Sequence, residues 1–303
     1  MEARKHAVVT GASSGIGATL ARELAAHGWS ITLVARREAL LHTLAAELRA
    51  LGARTHVVAR DLGDWSREPT EGGRTGSAEV PTASLANSSA SPTTDWLAGA
   101  EAALGPIDVL VNNAGVQIID PTVDVAPEDG EALLRLDLMA PLRLTQAVLP
   151  AMLARGAGTI VDVASMAALA PTPGMFHYNA AKAGLAAASE SLRGELRGTG
   201  VHVVTVYPGV IDTTAMARAG LAKFDASSRV LAWTPRGRED VLATLVRRAI
   251  ERRRARVIYP HSGVLARWFP AATRWLLDRF TPRLSRRPSA LVEHAPAPIA
   301  ESA

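Results

Sequence analysis

The run from His6 to Gly28 admits few architectures. H6-A-V-V-T10 is short and apolar, G11-A-S-S-G15-I-G17 is a glycine turn, and T19-L-A-R-E-L-A-A-H27-G28 is amphipathic and closes on glycine. That order predicts a buried strand, a tight turn and a helix. Glycine lets the turn tighten and lets backbone approach a ligand closely. A helix opening straight out of such a turn aims free N–H groups and its positive dipole end at whatever lies before it, which suits a phosphate. The spacing is G-x-x-x-G-x-G rather than G-x-G-x-x-G, and a lone glycine loop can be no more than a turn. The strand–turn–helix setting that a dinucleotide site requires is nevertheless present.

The same alternation continues along the chain. Ser30–Ala35 reads as a second strand and E38-A-L-L-H-T-L-A-A-E-L-R49 as its helix. I107-D-V-L-V111 reads as a fourth strand, 127–155 as a long helix and T159-I-V-D-V163 as a fifth strand. A helix over 176–197, a sixth strand V201-H-V-V-T-V206 and a seventh, Ala255–Pro260, follow. Thr234-Pro235 is read as a helix start, Pro being favoured at the first helical position. Alternating strands and helices argue for a parallel sheet. The 303 residues, 48% of them hydrophobic, suffice for one large α/β domain or two small ones.

Two stretches break the pattern. Residues 64–93 are rich in Ser, Thr, Gly, Pro and Ala without periodicity, and such composition buries too little apolar surface to fold alone. They read as a disordered surface insertion rather than a lid. L265-A-R-W-F-P-A-A-T-R-W-L-L-D-R-F280 is amphipathic, with Trp268, Trp275, Leu276 and Phe280 set among Arg267, Arg274 and Arg279. It can lie on a membrane surface, cap a cleft, or pack on the domain. Residues 281–303 read as a flexible tail.

The chemistry gathers at H177-Y-N-A-A-K-A-G184, thirteen residues beyond Ser165. Tyr178 and Lys182 are one helical turn apart on one face. An ammonium beside a phenol is expected to lower its pKa, making Tyr178 a general acid or base for a hydroxyl/carbonyl pair. His177 faces away from Tyr178 and is expected in a pocket wall or at the surface. Arg36-Arg37 ends the second strand, and no Asp or Glu stands between Trp29 and Arg37. An acid there would bind a ribose 2′-OH, whereas Arg suits a 2′-phosphate. The two arginines either merely begin the next helix or receive that phosphate, and the phosphate role is expected of Arg36 before Arg37.

T10-G-A-S-S-G-I-G17, Asp61-Leu62, N112-N-A-G115, Ser165, Tyr178-x-x-x-Lys182 and Pro208-Gly-Val-Ile-Asp-Thr213 occur in this order. In them the chain resembles the short-chain dehydrogenase/reductase (SDR) family over roughly residues 5–260. The resemblance implies one Rossmann-type domain over 1–260, a doubly wound parallel sheet of order 3-2-1-4-5-6-7 with helices on both faces, followed by an extension over 261–280. It also implies NAD(P)-linked interconversion of a ketone and an alcohol. Tyr178 would move the proton, Lys182 would hold the nicotinamide ribose, and Ser165 would bind the substrate oxygen. Gly11, Ser13, Ser14, Gly15, Ile16 and Gly17 would line the pyrophosphate and adenosine end. Asp61 and Leu62 would flank the adenine, Asn112, Ala114 and Gly115 the cleft, and Pro208, Gly209 and Thr213 the carboxamide. Pairing through the two long helices implies a homodimer or homotetramer.

One position departs from the family. Its catalytic Asn, in the long helix before the Ser, is replaced in L133-L-R-L-D-L-M-A-P141 by Asp137. An ionised Asp donates no hydrogen bond, and its charge opposes a tyrosinate. Asp137 either keeps the structural role with activity tuned, or marks an NADP-binding protein with impaired catalysis.

The absence of cysteine excludes disulfides and thiolate chemistry, and the eight histidines show no metal-ligand spacing, so no metal is expected. The net charge of +4 is carried mainly by arginines spread through helices. No nucleic-acid-binding signature accompanies it, so no nucleic-acid partner is expected. No 18-residue uncharged apolar stretch occurs and no signal-peptide core follows the charged start, so a cytoplasmic protein is expected. NADP(H) is expected in preference to NAD(H), with an apolar small-molecule carbonyl or alcohol as substrate.

Overall fold

The structure, a computed structural model, describes residues 4–65, 93–211, 220, 222–224 and 235–281. Strands β1 (His6–Thr10), β2 (Ser30–Ala35), β3 (Thr55–Ala59), β4 (Val109–Asn112), β5 (Gly158–Val163), β6 (Val201–Pro208) and β7 (Arg256–Tyr259) form one sheet. Its order is β3-β2-β1-β4-β5-β6-β7 and every pairing is parallel. This is the expected doubly wound topology. β1 and β2 are buried at every residue, which is why they read as unbroken apolar runs rather than alternating ones.

Helices cover both faces. α1 (Gly15–Ala26), α2 (Glu38–Ala50) and α7 (Glu239–Glu251) pack on one side through residues such as Leu20, Leu24, Leu41, Leu44, Leu242 and Val246. α3 (Leu97–Leu104), α5 (Ala140–Ala154) and α6 (Phe176–Glu195) lie on the other, where Ala100, Leu144, Val148 and Met152 meet Leu110 and Ile160. Order reverses between β1 and β4, and the glycine turn and the β4 loop stand at that switch point, where open α/β sheets bind ligands.

Three elements differ from the sequence expectation. The long helix is α4 (Pro127–Leu134) and α5 joined by a π turn over Arg135–Met139, with Asp137 at its centre. Pro141 lies four residues on and has no N–H to give the Asp137 carbonyl, which accounts for the widened turn. Pro235 does not open a helix: Arg236–Gly237 bridges Val210–Ile211, and α7 begins at Glu239. The amphipathic stretch is two helices, α8 (Val264–Trp268) and α9 (Pro270–Phe280). Phe269 sits at φ −125° and ψ 60° between them, since a residue before proline is driven from helical geometry.

The extension is held to the domain at Glu190 of α6. Glu190 Oε1 accepts from Tyr207 Oη of β6 (3.0 Å), Arg256 Nε of β7 (2.9 Å) and Arg267 Nη1 of α8 (2.9 Å). Burial works against that carboxylate, but the Arg256, Arg267 and Tyr207 donors outweigh it and hold its pKa down to about 2. Of the expected insertion, residues 66–92 lie outside the described residues. So do the tail from 282 and most of the loop after β6, with Thr213.

Candidate active site

The cleft floor is built by hydrogen bonds among backbone turns. Thr10, the last residue of β1, donates through Oγ1 to the Val111 carbonyl (3.0 Å) and accepts from the amides of Asn113 (2.9 Å) and Ala114 (3.0 Å). Asn113 Nδ2 reaches the Thr10 carbonyl at 2.9 Å. These bonds draw the glycine turn against the β4 loop. A Cβ on Gly11, at φ +65°, would stand 2.8 Å from Ala114 Cα, and one on Gly17 would stand 2.5 Å from the Gly11 carbonyl oxygen. Only glycine permits that approach.

α1 opens at this loop with no side-chain cap and no acid in its first turn. Its positive end is therefore offset by nothing on its own helix. Ser14 stands at the N-cap position, but its hydroxyl accepts from Arg37 Nη2 at 2.7 Å. Arg37 also reaches Ser13 Oγ at 2.9 Å. Arg36 turns instead to Asp61, 3.5 Å away on the exposed edge. Two cations thus flank the loop, and the one on the serines is Arg37, which spacing alone ranked second. Asp61 Oδ1 accepts from the Gly63 amide (2.9 Å), and Leu62 is buried beside it.

The Asn112 side chain is buried within the sheet. Its Nδ2 donates backward to Asp162 Oδ1 of β5 (2.8 Å) and Thr145 Oγ1 of α5 (3.1 Å). The side chain ties β4 to β5 and α5. Gly209 follows Pro208, and its amide donates to the Tyr259 carbonyl at 2.7 Å.

Ser165 leaves the carboxyl end of β5, and Tyr178 and Lys182 come from the first turns of α6. α6 is alanine-rich and forms readily. Ser165 Oγ accepts from the Ala167 amide (3.1 Å), and Ser165 acts to lower the Tyr178 pKa. Lys182 Nζ donates to the Val163 carbonyl (3.2 Å) and lies 5.8 Å from the Tyr178 ring centre. Asp137 is 0% exposed; its Oδ1 accepts from the Val116 amide at 2.8 Å and its Oδ2 stands 3.2 Å from Lys182 Nζ. A Cβ on Gly115 would meet that carboxylate oxygen at 2.8 Å. Ser165, Tyr178, Lys182 and Asp137 therefore converge on one buried locus. His177 packs instead on Gly130 of α4.

The electrostatics correct one expectation. Burial raises the Tyr178 pKa above its usual value, more strongly than Lys182 and the Ser165 hydrogen bond lower it, and Asp137 raises it further. Spacing along a helix shows the Lys182 influence but not the desolvation. Burial also opposes the Lys182 ammonium, yet Asp137, Tyr178 and Asp162 together raise its pKa. Asp137 is itself raised, by burial first, with Lys182 and the Val116 amide acting against the shift.

The short chain dehydrogenase family model matches residues 5–69 and 73–223. A short chain dehydrogenase of Pseudocercospora fijiensis is 34% identical over 69% of this chain, and the chain spans 60% of that relative's length. A short-chain dehydrogenase of Sphingobium yanoikuyae, solved with NADPH, is 30% identical, covers 90% of this chain and 95% of its own, and superposes with a TM-score of 0.68. A short chain dehydrogenase/reductase of Burkholderia phymatum, solved with NAD, shares the fold at 23% identity and a TM-score of 0.69, covering 88% of this chain and 92% of its own. Sequence motifs, sheet order and these likenesses agree: the chain belongs to the short-chain dehydrogenase/reductase family.

Proposed function

We propose that this protein is an NADP(H)-dependent oxidoreductase interconverting a ketone and a secondary alcohol. The observation that carries the reading is the convergence of Ser165, Tyr178 and Lys182 at the carboxyl end of β5. A bound nicotinamide supplies the hydride. The Ser165 hydroxyl binds the substrate oxygen, the Tyr178 phenol gives it a proton on reduction and takes one on oxidation, and Lys182 holds the ribose. Gly11, Gly17 and the open end of α1 fit a pyrophosphate, because backbone approaches closely there and no side chain caps the helix. Ile119, Leu133, Met175 and Phe224 cluster with Tyr178, which favours an apolar carbonyl substrate. A panel of ketones and alcohols followed by NADPH absorbance tests the reading; failure to turn over any of them while NADPH binds sinks it.

The preference for NADP(H) rests on Arg36 and Arg37. Each charge-assisted contact to a 2′-phosphate contributes about 1.5–3 kcal/mol. Arg36→Asp and Arg37→Asp are each expected to weaken NADPH binding roughly tenfold to a hundredfold, with NADH binding little changed. Tighter binding of NADH than NADPH by the unaltered protein contradicts this.

The Asp137–Lys182 pair supports a second reading, in which the carboxylate occupies the ammonium and catalysis is impaired. The first is preferred, because Asp137 also keeps the Val116 amide in place. Asp137→Asn removes a charge that raises the Tyr178 pKa. Reduction needs the phenol and fades as pH rises through that pKa, whereas oxidation needs the phenolate and grows. Both limbs are expected to move to lower pH in Asp137→Asn, with activity kept or raised. Unshifted profiles, or a strong loss at every pH, argue that Asp137 works in a different relay.

A further inference from the structure

α8 and α9 carry an unusual surface. Trp268 is 72% exposed and Trp275 63%, and Leu265, Phe269, Leu276 and Phe280 are exposed beside them. α9 buries none of its residues. Trp275 and Phe280 meet edge to face at 6.4 Å, and the Arg279 guanidinium lies 5.4 Å from the Phe280 ring centre. Isolated exposed apolar residues need no explanation, but six large ones within the 16 residues Leu265–Phe280 form a patch.

The patch is held in place rather than trailing. Arg267 binds Glu190 of α6 at 2.9 Å, and a Cβ on Gly263, just before α8, would stand 2.6 Å from Met166 Sδ. Met166 follows Ser165 directly, so the platform begins beside the candidate active site.

Its charge selects the partner. Residues 264–280 hold three arginines against the single acid Asp278; Arg267 is paired with Glu190, while Arg274 and Arg279 are exposed. Aromatic side chains intermixed with arginine on a helix that no core covers match the interfacial mode of membrane binding, and the sign of the charge matches anionic headgroups. Among the described residues no helix is long and apolar enough to cross a bilayer. We propose that α8 and α9 dock the protein on the surface of an anionic phospholipid bilayer, with Trp268, Trp275 and Phe280 entering the headgroup boundary. The substrate would then be a lipid-soluble carbonyl compound drawn from that bilayer, an extension that rests on the oxidoreductase reading.

Flotation of the full chain with phosphatidylcholine vesicles, with and without phosphatidylglycerol, tests the docking without relying on catalysis. Binding is expected only with phosphatidylglycerol, together with a blue shift of tryptophan emission. The triple variant Trp268→Ser/Trp275→Ser/Phe280→Ser should weaken it about tenfold or more. Arg274→Glu/Arg279→Glu should also release the protein. The melting temperature and NADPH affinity of both variants should stay unchanged, since these side chains lie outside the core. No flotation, equal flotation without phosphatidylglycerol, or full retention by the triple variant overturns the proposal. So does a fall in oligomeric mass in the triple variant, which would assign the face to a second copy. Flotation without turnover of any ketone would sink the catalytic reading alone, and turnover without flotation the docking alone.

Discussion

Tyr178→Phe is expected to leave NADPH binding nearly unchanged and to lower turnover on the order of 10²-fold or more, the scale of general acid–base contributions. The ring stays in its cluster with Met175 and Ala181, so packing is preserved and only the proton carrier is lost. Lys182 keeps its contacts with Val163 and Asp137, so the groove that would hold the cofactor is intact. Because Tyr178 is buried in that cluster, no other phenol or water replaces it cheaply. Steady-state turnover together with NADPH titration separates the two effects, and normal turnover in Tyr178→Phe would falsify the assignment.

Lys182→Met is the second large effect, and it acts on stability as well as activity. Lys182 and Asp137 form a pair almost free of solvent. Removing one partner of a buried pair leaves the other charge unmatched, at about 3–5 kcal/mol. The loss depends on pH with a definite sign. The Asp137 pKa is already raised by burial, and without Lys182 it rises further. A group with a raised folded pKa stabilises the fold below its unfolded value and loses that contribution as pH climbs. Lys182→Met should therefore be least destabilised in mild acid and most destabilised toward neutral pH. Asp137→Asn/Lys182→Met should recover much of the stability, because position 137 no longer holds an unmatched charge, but not the turnover. Thermal melts across pH check the first part. Equal destabilisation at every pH would mean that the pair is not ionised in the native state.

Much of this was legible in the sequence, for identifiable reasons. β1 and β2 were readable because both faces are buried, which leaves no polar alternation to confuse with a surface strand. The glycine turn was readable because Gly11 at positive φ and Gly17 against the Gly11 carbonyl leave no alternative residue. Tyr178 and Lys182 were readable because helical spacing alone puts them on one face. What was hidden depends on groups brought together from afar. The net rise in the Tyr178 pKa comes from burial under distant elements. The Asp137–Lys182 pair joins two helices and needs the π turn before Pro141. Asn112 is expected at the cleft from its place in N112-N-A-G115, yet its Nδ2 donates to Asp162 and Thr145. Arg37 and Arg36 are neighbours, and only the fold sends one to Ser13 and Ser14 and the other to Asp61. Thr10 carries no chemical signature, although its hydroxyl joins three backbone groups.

Transfer of deuterium from NADPH labelled at the nicotinamide C4 to the carbonyl carbon of an apolar ketone tests the central claim most directly. Label is expected in the product alcohol with the unaltered protein, formed on the order of 10²-fold more slowly or not at all with Tyr178→Phe while labelled NADPH still binds. Bound NADPH that passes no label to any ketone, or transfer at an equal rate by Tyr178→Phe, would contradict it.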